Sequence, residues 1–240
     1  MELPASSVRR LMEPSAVRDY MLIRSRRKTI ALYVRTGGKI EVRAPLHTPV
    51  EVIDGFVDSR ADWIAHSLQK IKEAEEKAAA FSVLPGSRLL WMGAEYPAVL
   101  ESGASARIEG GRFLLPGNAE HKNRTAVRCF YQSAAERHLE NRTSVWAKRM
   151  GLTPASVKIT NAKRRWGSCS GKNALCFTWR LILTPPVCID YVIVHELCHI
   201  LEHNHSAAFW QEVERILPDY KQRRQMLQDY GRRIDLQNWD

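Results

Sequence analysis

Ile189, Val192, Ile193, Leu197, Ile200 and Leu201 enclose a stretch that also carries His195, Glu196 and His199, and this combination constrains the fold more than any other feature of the chain. A helix with so many apolar side chains reads as mostly buried, so other elements have to wrap it. Buried imidazoles and carboxylates need partners. Residues four apart lie on one helix face, so His195 and His199 offer two ring nitrogens to one point, with Glu196 to the side of that pair. One ion would satisfy both imidazoles. The alternative is a core helix whose histidines bond carbonyls and whose glutamate pairs with an arginine.

His195-Glu196-Leu197-Cys198-His199 is the HExxH arrangement, in which two histidines ligate zinc and the glutamate reaches a metal-activated water as general base without ligating the metal. Catalytic zinc takes three protein ligands and keeps one position open, so a third donor is expected nearby. His205 is the best candidate. It follows His203-Asn204, where Asn204 can take the left-handed conformation that ends a helix and turns the chain back. Ser206 then reads as the N-cap of a second helix through Ala207 to Leu217. His203, in the last turn of the metal helix, competes as a ligand, as do Glu212 and Glu214 on the following helix. The spacing of His195, His199 and His205 equals that of the metzincin ligand set, with Glu202 standing where that pattern has glycine.

The segment from Lys163 to Leu227 carries further motifs: Arg165-Trp166-Gly167-Ser168-Cys169, Ile189-Asp190-Tyr191-Val192, Asn204-His205-Ser206, Phe209-Trp210 and Pro218-Asp219-Tyr220. With the HExxH run, these resemble the YgjP-like family of bacterial zinc metallopeptidases, relatives of the SprT-like group. Ile23-Arg24-Ser25-Arg26-Arg27-Lys28 and Trp63-Ile64 also fit the family's amino-terminal half. Thr178 stands where the family often has an asparagine. The resemblance implies a zinc-dependent peptidase acting on protein or peptide substrates, with one zinc ion per chain on His195, His199 and His205 and with Glu196 as catalytic acid and base. It supplies no particular substrate.

A chain of 240 residues with 45% hydrophobic content can bury a sizeable core in one large or two small domains. No apolar run approaches the roughly 20 residues that cross a bilayer, and Met1 to Arg10 lack the apolar region of a signal peptide. A cytoplasmic location without membrane association is the expectation. Cys129, Cys169, Cys176, Cys188 and Cys198 are odd in number and form no CxxC pair, which suits free thiols in a reducing compartment. Cys198, beside His199, reads as a small buried apolar side chain. Net charge is +10, with clusters at Arg24-Ser25-Arg26-Arg27-Lys28, Lys163-Arg164-Arg165, Arg223-Arg224 and Arg232-Arg233. Such an excess suits a nucleic-acid partner or acidic substrates, although charge clusters are commonly solvated faces.

The fold class expected is α+β, with a β-rich accessory domain over 15–117 that includes one long helix, then a compact zincin-like domain over 118–240. Strands are expected over 20–23, 29–34 and 39–42. Thr48-Pro49-Val50-Glu51 reads as a capping box opening one helix that runs past Trp63, Ile64, Leu68 and Ile71 into the charged end Lys72 to Lys77. Alternating segments between Leu89 and Leu115 suggest a small antiparallel sheet. A long helix follows over 119–150, stopped by Gly151 and packed behind the metal helix; His138 on it reads as a buttress or surface residue. Strands over 157–160 and 174–181 flank a loop at 166–171, and an edge strand beside the metal helix would be a docking site for an extended peptide. Asp190 reads as a favourable charge near that helix's amino end.

Hydrolysis of peptide bonds by a metal-activated water is the function these features favour. The rival is a non-catalytic module in which a metal staples the fold and the basic surface holds nucleic acid, or a protease that needs nucleic acid for activity. Glu196 discriminates, because a structural zinc site has no use for a carboxylate beside its ligand.

Overall fold

The computed structural model describes residues 7–9, 19–101, 103 and 105–239. Of the amino-terminal segment read above for a signal peptide, residues 1–6 and 10 lie outside the described residues. Two compact units are present, Met1–Ala80 and Phe81–Asp240. This division falls earlier than the 117/118 boundary expected from sequence. The reason is packing: the segments between Arg88 and Leu115 contribute Leu89, Leu90, Phe113 and Leu115 to the same core as the long helix and the HExxH helix.

The first unit is a four-stranded sheet, β1 (Ser7–Arg9), β2 (Tyr20–Ser25), β3 (Ala31–Val34) and β4 (Ile40–Pro45), in the order β1-β2-β4-β3. β2 runs parallel to β4, and β3 antiparallel to it. Period-two alternation on β4 buries Ile40, Val42 and Ala44 against Ile53, Val57 and Ile64. Those last three belong to α1 (Val50–Asp58) and α2 (Ala61–Ala79). Two expectations are corrected here. The helix is broken at Ser59-Arg60 rather than continuous, and Ser59 turns its hydroxyl back onto the Phe56 carbonyl. Thr48 makes no side-chain cap: Pro49 is the N-cap residue, and the Thr48 carbonyl accepts from Arg24.

In the second unit β5 (Arg88–Trp91), β6 (Ala94–Leu100), β7 (Arg107–Glu109) and β8 (Arg112–Leu115) form a sheet in the order β5-β6-β8-β7. It is mixed, not antiparallel, because β6 and β8 pair in parallel across the β7 excursion. α3 (Glu120–Met150) ends at Gly151 in the left-handed conformation, as its sequence requires. Tyr131 on α3 is fully buried between Trp179 and Trp239, stacked on the first and edge-on to the second, and donates its hydroxyl to the Leu90 carbonyl at 2.7 Å. This satisfied phenol ties the sheet to the helix layer.

The last sheet is β9 (Ser156–Thr160), β10 (Gly167–Cys169) and β11 (Ala174–Thr178), ordered β10-β11-β9. β11 stops at Thr178 rather than at 181, since Thr178 caps a 3-10 helix over Trp179–Leu183 by accepting from the Arg180 amide. The expected loop at 166–171 contains β10, which is itself the edge strand. α4 (Pro186–Cys198), α5 (Ala207–Ile216) and α6 (Tyr220–Asp235) complete the unit. Among the described residues, no helix is long and apolar enough to cross a membrane.

Candidate metal centre

α4 begins on Pro186, whose ring fixes the first helical φ and whose missing N–H is not needed there. Ten of its thirteen residues are buried, from Cys188 to Cys198 with His195 alone half-buried among them. Its rotation is set by Asp190. That carboxylate lies five residues before His195 and accepts a fork from Arg142, Nε at 2.5 Å and Nη2 at 2.7 Å, with a third bond from Trp146 Nε1 at 2.9 Å. Asp190, read as a favourable charge near the helix's amino end, is therefore an anchor to α3. His138 on α3 sits near this pair; burial and the Arg142 charge hold its imidazole below the usual range, and it is not one of the three histidines brought together at the HExxH helix.

α4 ends at Cys198, one residue sooner than the second motif histidine, and His199 is its C-cap. His203 is thus outside the helix rather than in its last turn. Asn204 does not enter the left-handed region, in which Met92 and Asn173 are the non-glycine residues among those described. It turns the chain by another device, accepting the Ser206 amide on its own Oδ1 at 3.0 Å. Ser206 then caps α5 by accepting from the Phe209 amide, as its sequence predicts.

These turns bring His195, His199 and His205 together, with one ring nitrogen of each lying within 4.8 Å of the others. His195 Nε2 and His205 Nε2 are 3.1 Å apart. Two neutral imidazole lone pairs do not settle at that distance unless a proton or a cation lies between them. Tetrahedral zinc, with Zn–N of about 2.0–2.1 Å, would separate its ligand nitrogens by about 3.4 Å, so the donor set fits such an ion. His199 bonds the Glu202 carbonyl through Nδ1 at 2.9 Å, which fixes Nδ1 as the protonated nitrogen and leaves Nε2 as a ligand. Glu202 thus has a use through its backbone. The buried His195 Nδ1 has no hydrogen-bond partner and sits in an aromatic surround that includes Phe209 and Trp210.

Burial pushes the His195 pKa down to about 3, helped by His199, His205 and Arg224, and His199 is lowered chiefly by burial as well. Both rings are therefore neutral, the form that ligates metal. The competing acids are spoken for: Glu212 forms a fork with Arg215, and Glu214 faces Lys221 at 3.9 Å. Cys198 is fully buried, and burial pushes its thiol up to about 12, consistent with an apolar packing role.

Glu196 is 6% exposed, and burial pushes its pKa up to about 7 against the opposing charge of Arg165. Its neighbour across the cleft is Gly167 on β10. A Cβ on Gly167 would lie 2.7 Å from Glu196 Cγ and 2.8 Å from Oε1, so only glycine lets the strand approach the carboxylate this closely. The sequence placed Gly167 in a motif without revealing this contact. β10 also presents a free edge. Trp166 O accepts from Thr178 N and Ser170 N donates to Ala174 O, both at 2.9 Å. By antiparallel alternation, Gly167 and Cys169 turn their N–H and C=O groups away from β11. Thr178 plays no part at the carboxylate, since its hydroxyl donates to the Ala162 carbonyl at 2.7 Å. A pocket of about 240 Å³ opens beside His195 and Glu196, between Trp166 and Gly167 on one side and Arg224 and Leu227 of α6 on the other.

Three imidazoles drawn together beside a buried carboxylate and the edge strand of a sheet form a cluster that could hold a metal ion. Residues 28–230 match the family described as YgjP-like, metallopeptidase domain, and the chain belongs to it. No curated protein matches the chain. Among solved structures it is similar to the crystal structure of the metallopeptidase zymogen of Pyrococcus abyssi abylysin, at 21% identity and a TM-score of 0.36, covering 38% of this chain and 93% of that one.

Proposed function

We propose that the chain is a zinc-dependent metallopeptidase that hydrolyses peptide bonds, with one ion on His195, His199 and His205 and with Glu196 as general base and acid. The observation that carries this reading is the approach of His205 Nε2 to His195 Nε2 at 3.1 Å beside a buried glutamate. When bound, zinc lowers the pKa of a coordinated water to about 7 and polarises a carbonyl. Glu196, held near neutrality by its burial, takes a proton from the attacking water and passes it to the leaving nitrogen as the C–N bond breaks. The peptide is held extended along β10, its main chain bonding the outward N–H and C=O groups of Gly167 and Cys169. Gly167 keeps the scissile bond within reach of Glu196 because no side chain stands between them.

His205 tests the ligand set, being the donor contributed from outside the helix. The His205→Ala variant is expected to lose most of its zinc during dialysis, measured as metal per chain by atomic emission, while its far-ultraviolet circular dichroism matches wild type. Retention of a full equivalent of zinc would remove His205 from the set.

A further inference from the structure

We propose that the pocket beside Glu196 selects a carboxylate on the substrate residue next to the scissile bond, and that Arg224 is the group that recognises it. The inference rests on the peptidase reading of the cleft. α6 places Arg224, Leu227 and Gln228 on one face, three and four residues apart, and all three line the pocket. Opposite them stand Trp166, Tyr191 and Val192, so the walls are mainly apolar. At about 240 Å³ the space is large enough for one extended side chain.

Arg224 is the cationic group in this lining. Among the described residues, no carboxylate lies within ion-pair distance of Arg224, whereas its neighbour Arg223 is held by Asp219 at 2.8 Å and Arg233 by Glu95 at 2.8 Å. Its guanidinium lies 5.5 Å over the Trp210 ring, which is stacked on Tyr220. This platform pre-orients the planar fork without consuming its N–H donors. A carboxylate is the ligand that accepts two parallel N–H bonds from such a fork. The buried Glu196 carboxylate, which lines the same pocket from α4, is not that partner: among the described residues it forms no ion pair with Arg224, and the cation acting on it is Arg165. Arg165, exposed at the rim, adds to the positive field through which an acidic segment would approach.

The carboxylate can come from a glutamate side chain or from the free carboxyl terminus of a peptide cut near its end. Zinc-loaded enzyme should therefore be assayed on quenched fluorescent peptides carrying Glu, Gln, Leu or Lys at each position flanking the cut. A second set ends shortly after the cut in a free acid or an amide. Because Arg224 is exposed, kcat/KM for the acid-bearing peptide is expected to exceed that of its neutral isostere by about three- to tenfold, shrinking as salt rises. A preference in the first set assigns the side chain, and one confined to the second assigns the terminus. Arg224→Gln is expected to bring the acid-to-neutral ratio close to one, and Arg224→Glu to favour Lys. Equal rates for acid and neutral peptides in both sets, or an unchanged ratio in Arg224→Gln, would overturn the assignment while leaving the peptidase reading intact. Fluorescence anisotropy of the same peptides on the Glu196→Gln variant separates the two claims. Tighter binding of the acid there, with no cleavage by wild type, would uphold the pocket and defeat the peptidase reading.

Discussion

Gly167 and Glu196 show how closely single atoms are constrained in this cleft. An alanine methyl at 167 would have to displace the carboxylate or push β10 off α4, because its contacts are with three carboxyl-side atoms of Glu196 at 2.7–2.9 Å. Misplacement by about 1 Å can cost about 100-fold in rate, so Gly167→Ala is expected to lower kcat by about that factor with zinc content unchanged. Single-turnover cleavage with parallel metal analysis checks it; wild-type turnover in that variant would mean that the close approach has no part in catalysis. At this scale the sequence spoke clearly only where chemistry is written in spacing. His195, Glu196 and His199 are legible because a helix has a fixed period. His205 is legible only as the best of several donors, since a turn has none. Arg224 and Gly167 reach the same cleft from far along the chain, and no local pattern announces that.

Elements carry the site through their anchors, and the chief anchor is the Asp190 carboxylate joining α4 to α3. Replacing Asp190 by alanine would leave Trp146 Nε1 buried without an acceptor and the Arg142 guanidinium without its partner. The expected loss is about 2–4 kcal/mol of unfolding free energy, discounted from a fully buried pair because Arg142 is partly exposed. Urea denaturation of the zinc-free protein measures it, and a loss under about 0.5 kcal/mol would show that α4 is held by apolar packing alone. Helices were the most legible elements: α3 ends on Gly151 and α5 starts on Ser206 as their sequences require. Strand pairing was less so. β10 hides in a segment whose Trp-Gly-Ser-Cys sequence has turn character, and becomes a strand because β11 pairs with it. The parallel pairing of β6 with β8 is equally absent from local alternation, which specifies a face but not a partner. The Met92-Gly93 turn has φ of 46° and 83°, with Gly93 packed on Pro185 ahead of α4. A methionine there does not advertise a hairpin.

Across the whole molecule, several of the basic residues in the charge clusters have structural partners, while the net charge stays at +10. Arg24 donates to the carbonyls of Pro45, Leu46 and Thr48, Arg223 and Arg233 have carboxylate partners, and Arg232 pairs with Asp229. The basic clusters, read along the sequence alone, overstated the free basic surface, because their partners lie elsewhere in the chain. Metal binding and folding of the second unit should be linked, since the three ring nitrogens meet only in the folded chain. Zinc at about 100 times its dissociation constant is expected to stabilise the protein by about 2.7 kcal/mol, seen as a rise in Tm over chelator-treated protein. That rise should shrink in acid, below the ordinary imidazole range, because burial lowers His195 and His199 and protons compete for their ring nitrogens only there. A Tm indifferent to zinc at neutral pH would mean that no site forms. The most direct test of the account is the Glu196→Gln variant, measured beside wild type for zinc content and for cleavage of an unfolded protein substrate. The expected result is one zinc per chain in both, with turnover lower by about 100- to 10,000-fold in the variant; equal turnover with zinc retained would contradict the account.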